Sequence, residues 1–188
     1  MGKALIIAEK PSFAADIAKA LGGVTKDKSG EFFEGEKYVI SSAVGHLLEL
    51  IVPEEHDIKR GKWTFAALPH IPPQFGLQPI EKSAARLKVL VKLIKRKDVD
   101  ALVNACDAGR EGELIFRRIV DYTKAKQPIQ RLWLQSMTPA AIREGFAALR
   151  TDASTKSVRV SPCLSTASSS ARSSGSTRTW GMTAVFTV

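Results

Sequence analysis

Between Cys106 and Leu114 the chain crowds charge around two glycines: Asp107, Arg110, Glu111 and Glu113 enclose Gly109 and Gly112. Three carboxylates this close repel one another unless a cation or a basic partner is present. Hard oxygen donors with water in the remaining positions suit Mg²⁺. There is also an ordinary explanation for the same residues. Asp near a helix start caps free N–H groups, and Glu in the first turn complements the helix dipole. A second observation is needed to separate the two.

It comes from the elements that must position these acids. Val99, Ala101, Leu102, Val103 and Ala105 form an apolar run of strand length that stops at Cys106-Asp107. From Glu111 onward apolar residues return at helical spacing, with Ile115, Ile119 and Tyr122 on one stripe and Phe116 and Val120 beside it. Near the start of the chain, Lys3 to Lys10 is another buried-strand run ending in an acid, Glu9. Pro11-Ser12 opens a helix with Ala14, Ile17, Ala18 and Leu21 in register, closed by Gly22-Gly23. Two strand–helix units therefore each end their strand in a carboxylate. In an open α/β sheet ligands bind outside the carboxyl ends of the strands. If the two strands are parallel neighbours, Glu9 and Asp107 meet at one edge.

AEKPS (Ala8 to Ser12) together with DAGREGE (Asp107 to Glu113) resembles the TOPRIM domain of type IA DNA topoisomerases, closest to the topoisomerase III type. The pair is specific in this order and separation, and the resemblance runs from Lys3 to about Arg150. It takes in Gly45-His46-Leu47, similar to the family's GHL step, and Gln135-Ser136-Met137-Thr138 after the last strand. The resemblance implies that Glu9, Asp107 and Glu111 are metal-binding acids and that Lys10 lies against the scissile phosphate, with Arg110 as a second cation there. Glu9, Lys10 and Arg110 would be the catalytic residues, Lys10 and Arg110 the contacts to DNA, and Mg²⁺ the cofactor. It also implies an ATP-independent isomerase that passes single DNA strands to relax or decatenate DNA in the bacterial cytoplasm, associated with the nucleoid. Many TOPRIM proteins read D-x-D-x-E; here Gly109 stands at the middle acid, which leaves fewer carboxylates for a second metal.

The chain has 188 residues, enough for one ordinary domain with a core. No run approaches the roughly 18 consecutive apolar residues of a membrane span, and the N-terminus has no signal-peptide pattern. Its two cysteines, Cys106 and Cys163, are far apart and support neither a disulfide framework nor a zinc site. The net charge is +9, a surplus expected for a nucleic-acid partner. Residues 1–150 hold 24 Lys and Arg against 18 Asp and Glu, and residues 151–188 hold 4 against 1. The body is thus moderately basic and concentrates its acid where metal would sit.

The rest of the chain fills in a scaffold. Glu31 to Ile40 reads as a hairpin turning near Glu34-Gly35, its second arm running on through Val44 until Gly45-His46 breaks it. His46 reads as a hydrogen-bonded structural residue. From Pro53 to Pro79 the chain is Pro-rich with little period, an insertion in which Trp63, Phe65, His70 and Phe75 interleave with Lys59, Arg60 and Lys62. Such a mixture either tracks and stacks a single strand of DNA or anchors the loop. Lys82 to Lys97 reads as a helix with Leu87, Leu90, Val91 and Ile94 inward and a solvated basic face that includes Arg86. Gln130 to Leu134 reads as a strand. Thr138 caps a last helix that starts at Pro139 and buries Ile142, Phe146 and Leu149. The expected fold class is α/β, a TOPRIM (Rossmann-like) mainly parallel sheet flanked by helices, with one hairpin and the long Pro-rich insertion.

At Thr151 the character changes. Of the last 38 residues, 10 are Ser and 7 are Thr, and only Asp152 is acidic. The expected division is a TOPRIM domain over 1–150 and a Ser/Thr-rich tail over 151–188, either a natural disordered tail or the product of out-of-frame translation. Opening a phosphodiester by the family's chemistry requires a tyrosine nucleophile. The only tyrosines are Tyr38, on an expected strand, and Tyr122, on an expected helix; neither has the family's nucleophile context. The expectation is half an active site, binding chiefly single-stranded DNA without cutting it alone. The alternatives are a TOPRIM nuclease, which would use water on the same acids, and a small DNA-binding TOPRIM protein, which would tolerate their loss.

Overall fold

The structure, a computed structural model, describes residues 2–51 and 75–151. In chain order the elements are β1 (Lys3–Ala8), α1 (Pro11–Leu21), β2 (Val24–Lys26), β3 (Phe32–Gly35), β4 (Tyr38–Ser42), β5 (Leu48–Leu50), β6 (Leu77–Pro79), α2 (Ala84–Ile94), β7 (Val99–Ala105), α3 (Arg110–Thr123), β8 (Ile129–Arg131), α4 (Pro139–Ala147) and β9 (Arg150–Thr151). Strands β2-β3-β4-β1-β7-β8-β9 form one sheet in that order, and β5 and β6 form a separate ribbon. The four middle strands are parallel: β1 lies between β4 and β7, with Ile6 opposite both Ile40 and Val103, and β8 follows. Antiparallel strands extend each side, β2 and β3 beyond β4 and β9 beyond β8.

β1 is apolar without alternation because it is buried on both faces. Its odd and even residues serve different layers. Leu5 and Ile7 join Leu90, Ile94, Phe116 and Ile119 on the α2–α3 side, whereas Ile6 and Ala8 join Phe13, Ile17 and Ile142 on the α1–α4 side. α1 starts with Pro11 in its first turn, and its end is set by Gly22 at φ 66°, a left-handed value that glycine adopts at little cost. α4 is capped as expected, with Thr138 Oγ1 accepting from the Ala141 N–H.

The expected fold class holds, with local departures. The hairpin is present as β3–β4. The three-residue strands β2, β5 and β6 and the two-residue β9 were not anticipated, since runs so short carry no period. The expected helix over 82–97 is a single 3-10 turn, Glu81–Ser83, followed by α2. The expected strand over 130–134 pairs only through Ile129–Arg131. Tyr122, placed on the buried stripe of α3, is instead 39% exposed. Arg86 leaves the solvated face: its guanidinium donates to the Ser42 and Glu31 carbonyls and to Ser41 Oγ, tying α2 to the end of β4. Most of the Pro-rich insertion, including Lys59, Arg60, Lys62, Trp63, Phe65 and His70, and the tail from 152 with Cys163 lie outside the described residues.

At the edge where β1 and β7 begin, Glu34 accepts from Lys3 and from Arg96, and Arg96 also grips Asp98. Arg96 and Lys3 together hold the Glu34 carboxyl down to about 2 from an ordinary 4.5. A depressed carboxyl stabilises the fold above its unfolded pKa, and that contribution disappears as pH falls toward the folded value. The groups are partly exposed, so the contribution is about 1 kcal/mol at most. Glu34→Gln should therefore melt roughly 2–4 °C below the parent chain above pH 5. The two melting curves should converge as pH approaches 2, which thermal scans across that range would check.

Candidate metal centre at the strand ends

The carboxyl ends of β1 and β7 form the natural crevice of this sheet. The chain leaves β1 toward β4 on one side and leaves β7 toward β8 on the other, which is the switch-point geometry at which open sheets bind ligands. Because Ala8 pairs with Ala105, the residues that follow, Glu9 and then Cys106-Asp107, emerge side by side. The β4 edge continues past its last residue, the Ala43 and Val44 N–H groups donating to the Ala8 and Glu9 carbonyls. Lys10 is the N-cap of α1 and Arg110 the first residue of α3, both exposed. Neither helix has an N-cap side-chain bond, so no capping side chain covers the first-turn N–H groups beside the acids.

Glu9 and Asp107 are thus brought together as expected, and one detail of Glu9 bears on metal binding. Its Oε2 is buried and finds no hydrogen-bond partner among the described residues. A buried carboxylate oxygen left without a donor is costly unless a cation satisfies it. Between the two acids lies Cys106, whose thiol is pushed up to about 12 by burial and is chemically inert at neutral pH. Glu111, 65% exposed, stands 3.1 Å from His46 Nε2 by its Oε2. Among the described residues no group of three His, Cys, Asp or Glu side chains converges as a ready-made cage. Mg²⁺ is held by one or two carboxylates and completes its octahedron with water and phosphate. Glu9 and Asp107 offer oxygen donors for such an ion, and Glu111 stands in the first turn of α3.

Glu113 does not belong to this cluster. It is 4% exposed and accepts from Asn104 Nδ2 (2.9 Å), Arg117 Nε (2.7 Å) and Arg131 Nη1 (3.0 Å). The other nitrogen of Arg131 donates to the Cys106 and Asp107 carbonyls at 2.9 and 2.6 Å. The repulsion expected among three acids is thus relieved for one of them by an arginine from the neighbouring strand. The sequence did carry a signal for this, an i, i+4 Glu113–Arg117 pair inside an apolar helix face. Gly112 makes the close approach of α3 possible: a Cβ there would lie 2.3 Å from the Asp107 carbonyl oxygen. Gly109 differs, for a Cβ at that position would meet nothing within 4 Å. Its side chain is absent for no steric reason.

His46 was read as a hydrogen-bonded structural residue, and its hydrogen-bond partner is Glu111. The two tyrosines are elsewhere. Tyr38 begins β4, at the opposite end of the strands, with its ring 5.9 Å from that of Phe146. Tyr122 is twelve residues along α3 from Arg110, roughly 18 Å at the helical rise.

Comparison with known proteins places the chain among relatives of one kind. The Toprim domain family model matches residues 4–137. DNA topoisomerase 3 of Bacillus cereus is 44% identical over 151 residues, covering 80% of this chain and 20% of that protein. DNA topoisomerase 3 of Staphylococcus haemolyticus is 44% identical over 148 residues, covering 79% and 20%. A solved full-length topoisomerase I from Thermotoga maritima aligns with 22% identity and a TM-score of 0.49, covering 78% of this chain and 21% of that one. The chain spans about a fifth of the length of the curated relatives it matches. Among the described residues no helix is long and apolar enough to cross a membrane.

Removing one partner of a buried ion pair strands the other charge, at a cost of about 3–5 kcal/mol. Arg131→Ala should therefore lower the unfolding free energy by that amount, measured by chemical denaturation. Replacing an exposed acid such as Asp107 with Ala should change it by less than about 0.5 kcal/mol.

Proposed function

The chain belongs to the Toprim domain family, and from that premise we propose that it forms the metal- and phosphate-positioning half of a DNA topoisomerase 3 active site of type IA. Glu9, Asp107 and Glu111 would hold Mg²⁺, and Lys10 with Arg110 would face the DNA phosphate. The observation that carries the reading is the buried, unpartnered Glu9 Oε2 beside Asp107 at the switch point of the sheet.

When bound, the ion would supply Lewis-acid stabilisation of charge on a phosphoryl oxygen. The remaining work falls to the chain. The N-terminal turns of α1 and α3, without a capping side chain, turn the positive ends of two helix dipoles toward the strand ends, a setting that favours an anion. Lys10 and Arg110 add two full charges where those helices begin. Burial of Arg131 and Glu113 behind the turn keeps the acid count low enough for a phosphate to approach.

Opening the phosphodiester needs a nucleophile, and the positions of Tyr38 and Tyr122 favour neither residue. Our reading is that this chain binds and orients a phosphate of single-stranded DNA and does not cleave it.

Titrating the chain with Mg²⁺ should shift the backbone amide signals of residues 107–113 at millimolar concentrations, and Asp107→Ala should abolish the response. No shift in the parent chain would overturn the metal assignment. Labelled single-stranded DNA should bind more weakly as salt is raised and leave no covalent adduct after denaturation. A labelled protein band would instead reveal a tyrosine nucleophile in this chain, and cleavage without an adduct would favour a nuclease.

A further inference from the structure

We propose that His46 is a positioning residue for Glu111, holding that carboxylate ready to receive the metal ion; this rests on the metal site proposed above. Beyond β4, two successive residues, Val44 at φ 60° and Gly45 at φ 82°, reverse the chain in left-handed conformations. Glycine tolerates this; a β-branched valine rarely does. The Val44 side chain is 54% exposed, so no packing of its own accounts for the strained backbone.

What the reversal achieves is the placement of His46. The loop is fastened on both sides to the elements that carry the acids. On the β1 side the Val44 N–H donates to the Glu9 carbonyl. On the α3 side Leu47 and Leu48 are buried, and Arg118 Nη1 donates to the Leu48 carbonyl at 3.0 Å. Between these anchors the imidazole reaches Glu111.

Glu111 needs such a partner. It is a long side chain on the exposed first turn of α3, with several rotamers to lose on ordering. Its neighbour on the turn, Gly109, has open space where a side chain would be, so none there can brace it. A hydrogen bond from Nε2 to Oε2 fixes the carboxylate and leaves Oε1 for the ion. Metal-ligating carboxylates are commonly held in this way, and loss of the partner typically weakens binding 10–100-fold.

The test uses the 188-residue chain and Mg²⁺ alone, read through the amide signals of residues 107–113. His46→Ala should weaken the apparent affinity by about tenfold, and His46→Gln, which keeps a donor, should recover most of it. The thermal midpoints of the metal-free variants should match that of the parent chain, separating positioning from folding. Affinity unchanged or tighter in His46→Ala would overturn the proposal. Equal weakening in both variants would overturn it too, because the donor would not be the agent. A parent chain that ignores Mg²⁺ would remove the metal site itself and this role with it.

Discussion

One buried ion pair, Arg131 with Glu113, holds the strand-end edge of this domain in order. The strand carrying Asp107 must end abruptly, and the helix that follows must start against it. Both requirements leave carbonyls of the turn inside the protein, where unpaired oxygens are costly. Arg131 answers them with one guanidinium, bonding the Cys106 and Asp107 carbonyls on one side and Glu113 on the other. Burial alone works against its charge, and Glu113 opposes that effect. Asn104 completes the arrangement by donating to Glu113 while its own oxygen accepts from the Cys106 N–H. A buried pair of this kind adds little net stability over an apolar substitute, yet it specifies geometry because few other arrangements satisfy every group.

This constraint also sorts the acids by role. Three carboxylates in seven residues look equivalent in sequence, but the backbone sends them different ways. Asp107 ends at the strand terminus and Glu111 lies on the outer face of the first helical turn. Glu113, one turn position round, points back under the sheet toward β8. The distinction depends on Arg131, eighteen residues further on, and on a close helix–strand approach that only Gly112 permits.

The acids at strand ends were legible because two apolar runs of strand length each stopped at a carboxylate, and parallel pairing then left little freedom in where Glu9 and Asp107 could go. The layers were legible too, since Ile17 and Ile142, and Leu90 and Ile119, fall at helical spacing. What the sequence hid was long-range. β5 and β6 find each other across the insertion, and β9 pairs through two residues; neither leaves a local period. Tyr122 belongs to the expected helical stripe but lies in the last turn of α3 and is left partly exposed. Arg86 was read as an ordinary surface charge because its partners, Ser41, Ser42 and Glu31, lie on another part of the chain.

The position of β1 has a consequence for how the chain folds as it is made. Within this sequence β1 precedes every other strand of the sheet, yet it becomes an inner strand, flanked by β4 on one edge and β7 on the other. Its first edge can close as soon as β4 is synthesised. The second must wait for β7, whose first residue is 57 positions after the end of β4, a delay of roughly 3–12 s at ordinary elongation rates. During that interval β1 and β4 expose apolar faces and an unsatisfied ladder, the kind of edge that pairs with other chains. Lys3 and Lys10 bracket the open strand with charge, and Pro11 stops the ladder from extending beyond it. The nascent chain therefore carries its safeguards against aggregation at the two ends of the strand it must leave unpaired longest.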